Sequence, residues 1–150
     1  MASATLNARP STDEATILAL IEDRHKAHHN KDAAAITAPY ASDVISYTLA
    51  PPLAHHGINL KEIQAWLDTW DGPINLESRD LNVTISGDCA FCHGYIQMTG
   101  TKVAGNHVSF WMRSTLCLHR EGDSWKISHE HASVPFYMDG SLRPAFDLNP

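Results

Sequence analysis

The stretch HVSFWMRSTLCLH, residues 107–119, decides how the rest of the chain is read. Taken at every second position it separates into two sets. Val108, Phe110, Met112, Ser114, Leu116 and Leu118 form one, and His107, Ser109, Trp111, Arg113, Thr115, Cys117 and His119 form the other. Side chains of a strand alternate between the two faces of a sheet, so this pattern predicts a strand with one buried face. The even set is almost wholly apolar and is expected to face a core, with Met112 in the wall and Ser114 as a polar interruption. The stretch before it agrees. There Ala90, Cys92, Gly94, Ile96 and Met98 alternate with Phe91, His93, Tyr95 and Gln97.

Outward from this strand the second half reads as a meander, with strands near 74–86, 88–100, 106–120 and 124–134. SGD (Ser86–Asp88), the segment Val103–Asn106 and REGDS (Arg120–Ser124) supply the turns. The first half is helical. Ser11 or Thr12 offers an N-cap, and Asp13 and Glu14 favour the first turn. Ile17, Leu20, Ile21, Arg24 and His28 then recur at helical spacing to about Asn30. A short helix is expected near Asp32–Thr37, before Pro39, and a β-branched and aromatic strand over Val44–Leu49. After the loop APPLAHHG, a third helix is expected over Asn59–Trp70, ended by Asp71–Pro73; it would place Trp66 and Trp70 one turn apart. Residues 1–11 read as a flexible leader and 12–150 as a single domain. The tail 135–150, with Phe136, Tyr137, Leu142, Phe146 and Leu148, is expected to pack on it.

These elements give an α+β fold in which three N-terminal helices lie across one face of a curved antiparallel sheet, over a conical space suited to a pocket. Composition narrows the partners. With 43% apolar and 19% charged residues the chain is an ordinary globular protein. A net charge of -6 without a basic run argues against nucleic acid. No apolar stretch is long enough for a membrane span, and no secretory signal is visible, so a cytoplasmic location is the expectation. Three cysteines do not make a disulfide framework. Cys89 and Cys92 should point to opposite faces of a strand, as small core-filling residues. Ten histidines include His129 and His131, two apart on a strand; with His93 they could gather on one face, but no third ligand of an established metal frame is evident. No cofactor is implied.

The odd set carries Phe91, His93, Tyr95, Trp111, Arg113 and Thr115 on the outer face, a composition typical of interfaces, and predicts a homodimer through that face. The last strand, SWKISHEHASVP, is ambiguous. Trp125 and Ile127 ask to be inside and by parity would take His129 and His131 with them; the other register turns Glu130 inward. Arg24, on the apolar stripe of the first helix, either reaches out to the helix end or needs a partner inside, such as Glu130, Glu77 or an acidic ligand.

The runs YASDVISYTLAPPLAHHG (Tyr40–Gly57) and GDSWKISHEHASVPF (Gly122–Phe136), in this order of elements, resemble the nuclear-transport-factor-2-like superfamily, and within it the SnoaL-like and ketosteroid-isomerase-related proteins. The late run also resembles the association domain of calmodulin-dependent kinases, an assembly module. The resemblance implies a cone-shaped barrel, frequent dimers and a pocket between sheet and helices. The isomerase base would fall near Thr48, its tyrosine near Arg24 and its protonated carboxyl near Ser114; none matches, which disfavours that activity. The polyketide-cyclase branch implies an acid/base carboxylate near Glu130. In an apolar pocket burial would raise its pKa, with Arg24 or Ser114 steadying an oxyanion. The expected function is binding of a small, largely apolar carbonyl compound, with possible isomerisation or cyclisation by Glu130. Trp66, Trp70, Met112 and Thr48 would line the site, with His56 at its mouth and His131 as a further contact. The alternative is a ligand-binding or assembly module without chemistry.

Overall fold

The computed structural model describes residues 11–150. The expected leader therefore lies outside the described residues except for Ser11. That residue caps α1 (Thr12–His29), its hydroxyl accepting from the Glu14 amide at 3.1 Å. α2 (Ala33–Thr37) follows, capped by Asp32, and then β1 (Tyr40–Tyr47) and β2 (His55–His56). α3 (Leu60–Leu67) precedes four long strands: β3 (Trp70–Ser86), β4 (Cys89–Lys102), β5 (His107–Glu121) and β6 (Ser124–Ser133).

The α+β class and the curved, mostly antiparallel sheet agree with the sequence reading; several particulars do not. The sheet has six strands in the order β2-β1-β6-β5-β4-β3, and β1 runs parallel to β6. β2 and β3 are free edges, so the sheet is open rather than closed into a barrel. The helices do not all precede the strands, because α3 follows β1 and β2. The first strand starts at Tyr40, earlier than Val44. The third helix stops at Leu67, and Trp70 opens β3, whose ladder with β4 carries on through Asp71. The glycine–proline pair that argued for a stop sits instead in a bulge between Asp71 and Asn75.

Bulges also dispose of the ambiguity in the last strand. Leu118 pairs with Ile127 but Cys117 pairs with His129, so Ser128 is an extra residue with no opposite number. One inserted residue reverses the parity of everything after it. Trp125 and Ile127 are buried and Glu130 also turns inward, while His129 and His131 stay outside together. β3 uses the same device. Arg79 pairs with Tyr95 and Asn82 with His93, leaving Asp80 and Leu81 opposite Gly94. Glycine is required there, since a Cβ would lie 2.8 Å from Leu81 Cδ2 and 3.0 Å from the Arg79 carbonyl oxygen.

The core divides in two. Ile17 and Ile21 of α1 pack on Val44, Ala90, Cys92, Leu116, Leu118, Trp125 and Ile127. Ala27, Ile36, Leu67, Trp70 and Ile74 form the second cluster, flanked by Trp66 and Met98. Cys92 fills core as expected, but Cys89 is exposed because its parity points it outward. The tail packs through Ala145, which is buried, and through Phe146, whose ring lies 4.7 Å from that of Phe110. Phe136, Met138 and Leu142 remain exposed. Among the described residues, no helix is long and apolar enough to cross a membrane.

Candidate functional site

The interior polar site lies between the two core clusters, where Arg24 of α1 reaches Glu130 of β6. Helical spacing aims Arg24 down from the apolar stripe of α1, and the Ser128 bulge aims Glu130 up to meet it. Arg24 Nη2 donates to Glu130 Oε2 at 3.1 Å and to the Tyr40 hydroxyl at 2.8 Å. Tyr40 in turn donates to Glu130 Oε1. Arg24 Nε donates to the Ile36 carbonyl at 3.3 Å, which ties α2 into the cluster. The Arg24 and Glu130 side chains keep only 12% and 19% of their surface exposed. Arg24 Nη1 has no hydrogen-bond partner among the described residues.

Ser46 pairs with Glu130 across the β1–β6 ladder, is itself buried, and its hydroxyl favours the charged carboxylate. On the other side Leu116 stands opposite Glu130. His28 closes the top, with Nδ1 at 2.7 Å from the Arg24 carbonyl oxygen; at that distance Nδ1 carries the proton and donates. Its ring edge meets Trp66 at 6.2 Å.

The electrostatics of this cluster are self-consistent. Burial alone would push the Glu130 carboxyl up, as the sequence reading expected. The attraction of Arg24, the hydrogen bonds from Tyr40 and Arg24 and the neighbouring Ser46 hydroxyl outweigh it and hold the group below its ordinary value. Glu130 is therefore a carboxylate at neutral pH, not a stored proton. Burial, reinforced by Glu130, raises the Tyr40 phenol well above its usual value, so it remains a donor. Burial works against the charge of Arg24, but Tyr40 and Glu130 more than offset it. Burial and the neighbouring Arg24 push His28 down to about 4, so it is neutral under ordinary conditions.

Of the residues singled out in the sequence, the structure brings Arg24 and Glu130 together and places Glu77, the other candidate partner, at the surface. Trp66 and Trp70 do meet, with ring centroids 5.8 Å apart, but across the helix–strand junction and not along one helix. Met112 is buried beside Ile96. Ser114 lies half-buried one inner row from Glu130, between Gly94 and Ala132, and outside the hydrogen-bonded cluster. Thr48 is exposed, with its hydroxyl on the Ala50 carbonyl at 3.1 Å; His56 is exposed on β2. His131 faces outward with His129, both packed on the Tyr47 ring at 5.3 and 4.8 Å. Among the described residues no group of three or more His, Cys, Asp or Glu side chains could hold a metal ion. Tyr40, Ser46 and His28 were not recognised as members of the site. A parity count from Val44 and Ser46 does not carry back to Tyr40, because the β1–β6 register shifts between Tyr40 and Ile45 and Ala41, of the opposite parity, is buried.

Two surface depressions lie elsewhere. One of about 330 Å³ sits in the C-terminal tail between Tyr137, Arg143 and Asp147, and one of about 650 Å³ between the α1–α2 turn and α3, near Lys31, Leu60 and Gln64. Neither touches Glu130.

Comparison with known proteins agrees with this architecture. An NTF2-like protein of unknown function from Pseudomonas putida superposes with a TM-score of 0.83 at 28% identity, over 95% of this chain and all 100% of its own. A candidate dehydratase of the NTF2-like family from Streptomyces avermitilis gives 0.72 at 17% identity, over 83% of this chain and 97% of that one. A candidate calcium/calmodulin-dependent protein kinase II association domain from Xanthomonas campestris gives 0.71 at 18%, covering 89% and 94%. At such identities the last two show the fold alone. No curated protein matches the chain in sequence. The model of the SnoaL-like domain matches residues 17–137, which takes in both Arg24 and Glu130, and the chain therefore belongs to the SnoaL-like family.

Proposed function

We propose that this protein binds a small, largely apolar carbonyl compound against the Arg24–Tyr40–Glu130 cluster and moves a proton on it. The observation that carries the reading is the buried Arg24–Glu130 pair with Arg24 Nη1 left unpartnered. A buried ion pair is a poor source of stability, because desolvating two charges offsets most of their attraction. Its presence in the interior is better explained by a task. A ligand carbonyl oxygen would accept from Arg24 Nη1, and the guanidinium would stabilise the enolate oxygen as charge develops there. Each carboxylate oxygen of Glu130 has a second lone pair, so either could take an α-proton and return it elsewhere. Ser114, Met112 and Trp66 would form wall, while Thr48, His56 and His131 would not touch the reacting atoms.

A second reading, ligand binding or assembly without chemistry, is favoured by one feature: both Glu130 oxygens already accept from protein donors. Calorimetric titration with a panel of cyclic ketones, enones and lactones separates the two. Saturable binding with turnover that Glu130→Gln abolishes supports proton transfer; binding without turnover supports the second reading; no binding across the panel sinks both pocket readings.

The same proposal includes a cytoplasmic location and a homodimer joined through the outer sheet face. Phe91 and Tyr95 are exposed there beside His93 and Arg113. Trp111, expected on that face, is only 9% exposed, since the Arg79 guanidinium lies 4.4 Å over its ring. Light scattering that finds only the 16.6 kDa monomer at micromolar concentration would remove the dimer.

A further inference from the structure

Among the described residues the Tyr40 hydroxyl is the one group that hydrogen-bonds both buried charges, accepting from Arg24 at 2.8 Å and donating to Glu130 Oε1. Its ring does separate work, packing against the first core cluster and lying 5.0 Å under the Arg24 guanidinium. Hydroxyl and ring can therefore be tested apart. We propose that Tyr40 is a positioning residue, whose hydroxyl holds the Glu130 carboxylate in one orientation and turns Arg24 so that Nη1 is left for an uncharged ligand oxygen. The inference deepens the pocket reading, but the control of Glu130 by Tyr40 needs no ligand.

The ligand oxygen is uncharged because the charge of Arg24 is already matched. Glu130 occupies Nη2, Ile36 occupies Nε, and a second anion at Nη1 would meet the Glu130 carboxylate a few ångströms away. A ketone oxygen pays no such penalty. The groups facing Glu130 are few. α1 contributes Arg24 and His28, β1 contributes Tyr40 and Ser46, and β5 presents the apolar Leu116. Arg24 does not titrate in the accessible range, but His28, depressed to about 4, takes up its proton over the same range as Glu130, whose pKa is also lowered. Read in a His28→Gln background, the titration of Glu130 reports which donors it has.

The test is a nuclear magnetic resonance pH titration of the full chain carrying isotope-labelled glutamate, with the Glu130 carboxyl assigned by its loss in Glu130→Gln. Tyr40→Phe keeps the ring and removes one charge-assisted hydrogen bond, and should raise the Glu130 midpoint by about one pH unit. A role in packing alone would leave the midpoint where it was, and that result overturns the proposal. Should Tyr40→Phe fail to fold, fluorotyrosine with the fluorine beside the hydroxyl makes a stronger donor. It should lower the midpoint instead, and an unmoved midpoint again overturns it. For the ligand oxygen, cyclohexenone and cyclohexanecarboxylate are the probes. The wild type should prefer the ketone at least tenfold, and Glu130→Gln, which leaves Arg24 unmatched, should reverse the order. The carboxylate preferred by the wild type overturns the assignment to an uncharged oxygen. If neither probe binds, the pocket reading fails while the titration result stands on its own.

Discussion

Helix α1 is joined to the sheet by an arginine–carboxylate pair near each end, and the two pairs sit in opposite surroundings. At the N-terminal end Asp13 accepts two bonds from Arg120, at 3.0 and 2.8 Å, and a third from Trp125 Nε1 at 3.2 Å. Arg120 also reaches Asp88 at 3.2 Å and lies 4.5 Å over the Trp125 ring. Its geometry is the better of the two, a parallel fork on a carboxylate. Yet Asp13 keeps 37% of its side chain in water and Asp88 keeps 81%, so this is a latch at the rim whose charges are already well solvated when it opens. Further along the helix, Arg24 and Glu130 make a single 3.1 Å contact and share a tyrosine. Good geometry outside and costly burial inside separate two roles. The first pair fixes where α1 lies, and the second places a charge in the interior that the fold does not need for stability.

The sharpest way to break that comparison is to remove one half of the inner pair. Glu130→Ala leaves Arg24 buried and unable to shed its proton, so it should lose about 3–5 kcal/mol in urea unfolding. Arg24→Ala should lose less, because Glu130 can neutralise itself by taking a proton. Replacing the whole cluster, Arg24→Met with Tyr40→Phe and Glu130→Leu, should restore at least the wild-type stability. A triple variant weaker than Glu130→Ala would mean that the cluster is there to hold the fold.

A smaller effect concerns acid. His28 has its pKa depressed in the fold to about 4, against roughly 6.5 in the unfolded chain. The unfolded state takes up the proton first, so stability is complete above about 6.5 and falls as the pH drops toward 4, by roughly 3–3.5 kcal/mol at most. Glu130, whose pKa is also lowered, adds its own loss below the ordinary carboxylate range. His28→Gln should flatten the unfolding free energy between pH 6.5 and 4.5. A slope equal to that of the wild type would remove His28 from the cause.

The smallest effect belongs to the rim. Asp13→Asn should lower stability only slightly at low salt, and the difference from wild type should vanish in about 1 M salt, where screening is nearly complete. A loss as large as that of Glu130→Ala, or one insensitive to salt, would show that the two ends of α1 do not differ as described.

The α+β order, the apolar even set of β5 and the helical stripe of α1 were legible from residue order alone, because helix and strand periods are local properties of the chain. So were Arg24 and Glu130 as suspects, since a charge on an apolar face has to be accounted for. That they face each other was not. Their meeting depends on Ser128 being squeezed out of register against Cys117, and a bulge reverses parity without leaving a mark in the alternation that precedes it. Tyr40 was missed for a related reason: β1 pairs in parallel with a strand some ninety residues away, and only that pairing extends it back past Ala41. Trp70 went from helix to strand because its partner Lys102 lies 32 residues on. Periodicity fixes which face a residue occupies within its own element. Which faces meet, and whether a buried carboxyl there stays charged, is decided by contacts between distant segments, where low dielectric makes every neighbouring donor count.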